Sequence, residues 1–259
     1  MPKQLLLFVC GTPRSGTTAM ANLLNTNPRI VMGVERYGRL LVLYCRGRDP
    51  ARNGRRIGSL FGRERLLFDQ RKKDNKPFPP TELDAASAKY DSAAYVGDKV
   101  PLLFRYMLPL GEACPTAKMI YIVRDPVTVA ASWQRRADNP EDAWPAMNGY
   151  RASVRVWNES VDCALAAKEA LGTRVAVVHY DTFFADVERQ WFELMDWLEI
   201  PARPMYGYTR MMLNEANKRA VESRVIPAHI RCYVEANACL DRLELLVGNG
   251  LAAAEDGAS

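Results

Sequence analysis

Gln4-Leu5-Leu6-Leu7-Phe8-Val9-Cys10-Gly11-Thr12-Pro13-Arg14-Ser15-Gly16-Thr17-Thr18 passes from an apolar run through a glycine-bounded loop into a helical pattern. A short, β-rich apolar run followed by helical periodicity reads as a buried parallel strand. Strand, glycine loop and helix start together turn backbone N–H groups toward an anion. Gly11 and Gly16 are spaced as the glycines of the phosphate-loop pattern G-x-x-x-x-G-K-[ST]. The lysine position of that pattern holds Thr17, so the group that reaches the β- and γ-phosphates of a nucleoside triphosphate is missing. Arg14, inside the loop, supplies positive charge instead. The stretch reads as an anion-binding loop that is not built for ATP.

The same alternation continues along the chain. Residues 95–98, 119–123 and 174–179 read as further buried strands, and 30–32 as a weaker one. Helices are expected at 16–25, 102–113, 126–136, 144–171 and 187–198. Strands alternating with helices of this length predict an α/β fold, a three-layer sandwich with a central, mostly parallel sheet of the P-loop NTPase-like kind. With 259 residues the chain fits a single domain, 1–259. Residues 46–80 combine glycine, proline and dense charge with weak periodicity, and read as a basic lid or acceptor-side insertion. Residues 214–259 read as a helical C-terminal region ending in a small, polar tail.

Composition narrows the class. Hydrophobic residues make up 48% and charged residues 25%, which excludes a disordered, collagen-like or disulfide-framework chain. The net charge of +5 is too small for a dedicated binder of nucleic-acid polymers. The excess is local: residues 46–76 hold eleven Lys/Arg and four Asp/Glu, or +7, leaving 24 − 26 = −2 elsewhere. That stretch either attracts an anionic partner or is a solvated basic face. The six cysteines form no CxxC pair and there are only two histidines, so no metal is expected. The apolar run 5–9 is shorter than a signal peptide's core of about 7–15 residues, and no run approaches the roughly 18 of a membrane span. A soluble, cytoplasmic protein of open oligomeric state is the expectation.

A second motif gives the loop a context. Tyr121-Ile122-Val123-Arg124-Asp125-Pro126 ends a strand and opens a helix, with Asp125 suited to the N-cap and Pro126 to the first helical position. Ser132 follows Arg124 by eight residues. The loop from Gly11 to Thr18 resembles the 5′-phosphosulfate loop of sulfotransferases that use 3′-phosphoadenosine 5′-phosphosulfate (PAPS). The Arg124/Ser132 pair resembles the 3′-phosphate signature of the same family. An arginine fork pairs well with a phosphate dianion, and a hydroxyl adds a neutral donor. The resemblance implies PAPS as co-substrate, 3′,5′-adenosine bisphosphate (PAP) as product and no metal. It places Arg14, Ser15, Gly16, Thr17 and Thr18 at the 5′ end of the nucleotide, and Arg124 and Ser132 at the 3′ end. Tyr180, in Val178-His179-Tyr180-Asp181, is by the same resemblance a partner of the 3′-phosphate or ribose.

The resemblance extends to the chemistry. Gly97-Asp98-Lys99-Val100-Pro101 is similar to the family's lysine segment, which implies Lys99 at the bridging or sulfuryl oxygen alongside Arg14. Many members carry a histidine base two residues after that lysine, where this chain has Pro101. Glu35, in Gly33-Val34-Glu35-Arg36, then becomes the candidate base, as in tyrosylprotein-type and several bacterial members. A carboxylate beside a desolvated pocket is expected to have a raised pKa suited to that work. His179 is the rival base. The resemblance covers roughly residues 4–198 and lacks the C-terminal Arg-Lys-Gly-x-x-Gly segment, for which Lys218, Arg219 or Arg224 could substitute. The acceptor is expected to be a hydroxyl or amine of a small molecule, carbohydrate or peptide. The basic stretch suits an anionic one, and Phe61, Phe68 and Phe78 an aromatic or lipidic one. A P-loop small-molecule kinase is the rival enzyme, which Thr17 and the Arg124/Ser132 pair oppose. A non-catalytic nucleotide-binding module is the third reading.

Overall fold

The computed structural model describes residues 4–69, 76–202 and 226–248. Five strands, β1 (Leu5–Gly11), β2 (Ile30–Val34), β3 (Tyr95–Lys99), β4 (Lys118–Val123) and β5 (Val175–His179), form one sheet in the order β2-β3-β1-β4-β5. All four pairings are parallel, with Val9 opposite Lys99, Lys99 opposite Val34, and Val123 opposite His179. Every strand therefore ends at the same edge. After β3 the chain passes β1 to build β4 on its other side, the kind of switch point at which α/β sheets bind ligands beyond the strand ends.

Both faces are covered, which is why the strands read as unbroken apolar runs. Leu7, Val9, Ile120 and Ile122 pack on one side against Met20, Leu23 and Leu24 of α1 (Thr17–Leu24) and Trp191 and Leu194 of α10 (Val187–Trp197). Phe8, Cys10, Met119 and Tyr121 pack on the other against Leu41, Ile57, Leu110 and Trp157. These come from α2 (Gly38–Cys45), α3 (Pro50–Leu60), α6 (Met107–Ala113) and α8 (Tyr150–Leu171). The result is the three-layer α/β sandwich expected.

The departures have local causes. Residues 46–69 are not irregular: Asp49 caps α3 by accepting from the Arg52 N–H at 3.0 Å, with Pro50 at the first helical position. Asn53, Ile57 and Leu60 form one buried face while Arg52, Arg55 and Arg56 point outward, so an asparagine and dense arginines hid the helical period. A second helix, α4 (Arg63–Phe68), follows and buries Leu66 and Leu67. Phe61 lines no acceptor surface; its ring packs 5.6 Å from Phe8 and 6.1 Å from Tyr37 in the core. α5 (Pro80–Tyr90) was not expected, and Pro101–Tyr106 is a 3₁₀ turn before α6. The expected helix 144–171 starts only at Tyr150, because Pro145 and a turn in which the Trp144 indole donates to the Asn148 carbonyl occupy its first residues. The remaining helices before the C-terminal region are α7 (Pro126–Ala137) and α9 (Tyr180–Ala185). In that region Ala228–Asn237 and Leu240–Gly248 are helical, while residues 214–225, with Lys218, Arg219 and Arg224, lie outside the described residues. Among the described residues no helix is long and apolar enough to cross a membrane.

Candidate active site

The loop after β1 turns on two glycines with positive φ. Gly11 has φ +151°, and a Cβ there would meet the Ile122 carbonyl oxygen at 2.2 Å. Gly16 has φ +99° and serves as the left-handed cap of α1; its missing Cβ would lie 2.2 Å from two ring carbons of Tyr180. Arg14, between them, holds φ +77° without being glycine. The loop is tied down from the far helices. The Trp133 indole donates to the Pro13 carbonyl at 2.8 Å, and the hydroxyls of Thr12 and Ser160 meet at 2.6 Å. Thr17 is buried and Thr18 exposed at the open N-terminus of α1, where the helix dipole favours negative charge. The Ser15 hydroxyl is fully buried with no hydrogen-bond partner. A buried hydroxyl without a partner is costly, and its position inside an anion-type loop points to a ligand as the missing partner.

The Arg124 segment closes on this loop. Arg14 Nε donates to Ser132 Oγ at 3.1 Å, which joins the loop to α7. The Arg124 guanidinium lies 4.3 Å from the Tyr180 ring centroid, and that ring presses on Gly16. Arg124 Nε stands 3.6 Å from Asp181 Oδ1, an ion-pair distance, and has no hydrogen-bond partner. Arg136, one helical turn beyond Ser132, completes a group of three arginines. Partial desolvation, followed by the charges of Arg136 and Arg124, holds Arg14 below the usual guanidinium range. Three cations crowd a loop that contains an unpartnered hydroxyl. Sequence reasoning missed Arg136; its i+4 spacing from Ser132 on α7 was the available signal.

Lys99 and Glu35 meet on the other side of β1. Lys99 ends β3 at 1% exposure, and its Nζ donates to Glu35 Oε1 at 2.9 Å. Glu35 follows β2 with φ +55°, a conformation that strains any residue but glycine. Three contacts enforce it. The Glu35 N–H donates to the Lys99 carbonyl at 2.7 Å, while the Arg36 and Tyr37 N–H groups donate to the two oxygens of Asp98 at 3.0 and 2.8 Å. Asp98 is wholly buried, and burial pushes its carboxyl up to about 6 despite those two donors. The raised pKa expected of Glu35 is not found. Burial does push it up, but hydrogen bonds and charges from Lys76 and Lys99 together outweigh burial and hold it below the usual carboxylate range. Asp98 and Lys76 carried no signal in the sequence beyond their proximity to Lys99 and to the basic stretch.

His179 stands elsewhere. It ends β5, three strands from β3, or about 14 Å at the usual strand spacing of about 4.8 Å. Its Nδ1 accepts from the Thr182 N–H at 3.4 Å and caps α9. Among the described residues no cluster of three or more His, Cys, Asp or Glu could hold a metal ion.

An all-parallel sheet with a glycine loop at the end of its central strand, no lysine in that loop and arginines converging on it defines a phosphate-loop-like α/β protein. The chain belongs to the Sulfotransferase family, whose model it matches over residues 7–204. It is 25% identical over 207 residues to protein-tyrosine sulfotransferase 1 of Danio rerio, an alignment covering 76% of this chain and 53% of that protein. Identity to protein-tyrosine sulfotransferase 2 of Gallus gallus is also 25% over 207 residues, covering 75% of this chain and 51% of that one. The chain thus spans about half the length of these relatives. The sulfotransferase domain of the Synechococcus PCC 7002 olefin synthase superposes with a TM-score of 0.51 at 19% identity, covering 95% of this chain and 94% of that one. Sulfotransferase STF9 of Mycobacterium avium gives 0.50 at 15% identity, covering 96% and 76%. These two likenesses establish the fold.

Proposed function

We propose that the chain transfers a sulfuryl group from PAPS to a hydroxyl or amine of its acceptor. The observation that carries this reading is the cradle itself: Arg124 stacked on Tyr180, Tyr180 against Gly16, Arg14 bonded to Ser132, and the Ser15 hydroxyl and Arg124 N–H left without hydrogen-bond partners. Those two unmet groups suit a ligand with anionic charge at both ends of a nucleoside. The N–H groups of Arg14, Gly16, Thr17 and Thr18 and the Ser15 hydroxyl would hold the 5′-phosphosulfate, and Arg124 with Ser132 the 3′-phosphate, with Tyr180 beneath the arginine.

In the transfer the acceptor oxygen or nitrogen forms a bond to sulfur as the bond from sulfur to the bridging oxygen breaks. The acceptor proton goes to Glu35, and PAP leaves with the electron pair. Lys99, buried at the end of β3, would turn from Glu35 to the bridging oxygen and stabilise its developing charge, with Arg14 at the neighbouring strand end. Positioning and electrostatics then supply most of the acceleration, as in phosphoryl transfer. The relatives' names give protein tyrosine as their acceptor; for this chain the acceptor class is a hydroxyl- or amine-bearing small molecule, carbohydrate or peptide.

Calorimetry with PAP, AMP and ATP tests the nucleotide. The 3′-phosphate meets a charge-assisted arginine contact of about 1.5–3 kcal/mol, so PAP should bind roughly 10- to 150-fold more tightly than AMP. Equal affinities, or tighter ATP binding with magnesium, would refute the sulfotransferase reading and favour a kinase. PAP binding with no transfer from labelled PAPS to any acceptor in a panel would favour the non-catalytic module.

A further inference from the structure

Lys76 lies at the end of the basic stretch, outside every motif read from the sequence. Its Nζ stands 2.5 Å from Glu35 Oε2, while Lys99 Nζ stands 2.9 Å from Oε1. The carboxylate is clasped from both sides, by a buried ammonium at 2% side-chain exposure and a surface one at 65%. An exposed lysine ordinarily gains little from such a pair, because it must give up rotamer freedom and is screened. Here the backbone delivers it. The Lys76 N–H donates to the Arg36 carbonyl at 3.0 Å, and the Lys76 carbonyl accepts from Arg36 Nη1 at 2.9 Å.

Arg36 is a fully buried latch. Its Nη2 donates to the carbonyls of Arg65 and Asp69 at 3.2 and 2.8 Å, and its guanidinium lies 5.3 and 5.5 Å from the ring centroids of Tyr37 and Phe78. It is also the residue after Glu35, and Asp98 holds its N–H. One turn therefore presents the carboxylate and anchors the lysine that clasps it. The charged groups around Glu35 are Lys99 and Asp98 from β3, Lys76 from the latched segment, and Arg36 within the turn, whose Nη1 and Nη2 donate to carbonyls.

We propose that Lys76 is a positioning residue for Glu35, keeping Oε2 in place when Lys99 turns to the transferring group, so that Oε1 faces the acceptor and takes its proton. This rests on the reading of Glu35 as the base. Lys76 is not among the residues assigned to the nucleotide, and its side chain is 65% exposed, so its replacement should leave the fold intact.

The test has an arm that needs no turnover. A carboxyl-carbon NMR titration of Glu35 in the nucleotide-free protein is compared for wild type, Lys76→Gln and Lys76→Arg, followed by pH profiles of kcat with one acceptor and calorimetry with PAP. Lys76 and Lys99 both lower the Glu35 carboxyl, so removing the Lys76 charge should raise it. Lys76→Gln should raise the Glu35 midpoint, move the acidic limb of kcat upward with it, lower the plateau several-fold and leave PAP affinity within two-fold, roughly the error of the method. Lys76→Arg should restore both midpoint and plateau. An unmoved midpoint, or a moved midpoint with an unchanged plateau and limb while Glu35→Gln is inactive, overturns the proposal. Full activity of Glu35→Gln overturns the base reading itself, and the positioning role falls with it.

Discussion

Gly16→Ala isolates the contact that joins the phosphate loop to the arginine clamp. At φ +99° an alanine enters the left-handed region, which costs roughly 1–2 kcal/mol. Its Cβ would also sit 2.2 Å from Cδ2 and Cε2 of Tyr180, where ordinary contact begins near 3.4 Å, so the ring must move by about 1 Å. Tyr180 is 6% exposed and already packs 4.6 Å from Phe184, which leaves the ring little room. Moving it breaks the 4.3 Å stack under Arg124, an interaction of about 0.5–2 kcal/mol. The substitution should therefore cost about 2–3 kcal/mol of stability in urea denaturation. In calorimetry it should weaken PAP binding at least ~10-fold, with AMP weakened less, because the displaced arginine is the one assigned to the 3′-phosphate. Combining it with Tyr180→Leu relieves the clash without restoring the stack. Part of the stability should return and the affinity should not, giving a strongly non-additive cycle in stability. Wild-type PAP affinity in Gly16→Ala, or strict additivity with Tyr180→Leu, would refute this account of the clamp.

Glu35→Gln should lower kcat by about 10²–10⁴-fold, the usual contribution of a positioned base, while PAP affinity stays near wild type; Lys99→Ala should be slow for a different reason, having lost charge stabilisation in the transition state. His179→Ala should turn over within a few-fold of wild type while losing roughly 0.5–2 kcal/mol from the α9 cap, and a dead His179→Ala beside an active Glu35→Gln would transfer the base to His179. Asp98 sets a pH dependence of opposite sign to most carboxylates. Its folded pKa of about 6 lies above the unfolded value near 3.8, so the folded state binds the proton more tightly and stability is lost as pH rises from about 4 to above 6. The loss is on the order of 3 kcal/mol for the two-unit shift. Urea denaturation of wild type and Asp98→Asn across that window should show the wild-type advantage shrinking with pH, and parallel curves would refute the assignment.

The parallel sheet was legible because each strand is buried on both faces and each crossover has room for a helix. The loop and the Arg124/Ser132 segment to which we assign the nucleotide were legible as local structure for a related reason. A glycine loop and an Arg–Ser pair lie within single strand–turn–helix units, so spacing along the chain approximates spacing in space. The acceptor side did not obey that logic. Glu35 owes its orientation to Asp98, 63 residues on, and its second cation to Lys76, 41 residues on. Those contacts are set by the register of β2 beside β3 and by a latch through backbone carbonyls, neither of which leaves a side-chain motif. The basic stretch misled for a physical reason as well. Arg52, Arg55 and Arg56 occupy the outer face of α3, and charge concentrated on that face masks the helical period of the segment.

The clamp's cations face carboxylates of the chain's own. Lys99 pairs with Glu35, Arg124 faces Asp181 at 3.6 Å, and Arg136 holds Asp142 through two hydrogen bonds of 2.7 and 2.6 Å. On the proposed reading, a donor with charge at both ends exchanges with the first two of these pairs, which lie on opposite sides of β1. The Arg124 exchange costs little, since that pair is long and its N–H unsatisfied. The Lys99 exchange has a consequence for the acceptor side. While Lys99 is bound to it, Glu35 is held well ionised but with both oxygens occupied, which makes it a weak base. Once the sulfuryl group draws Lys99 away, one oxygen is freed and the carboxyl loses a cation, so its affinity for a proton rises. On this reading the base becomes competent only once the donor is in place, which limits proton abstraction from an acceptor that has arrived first.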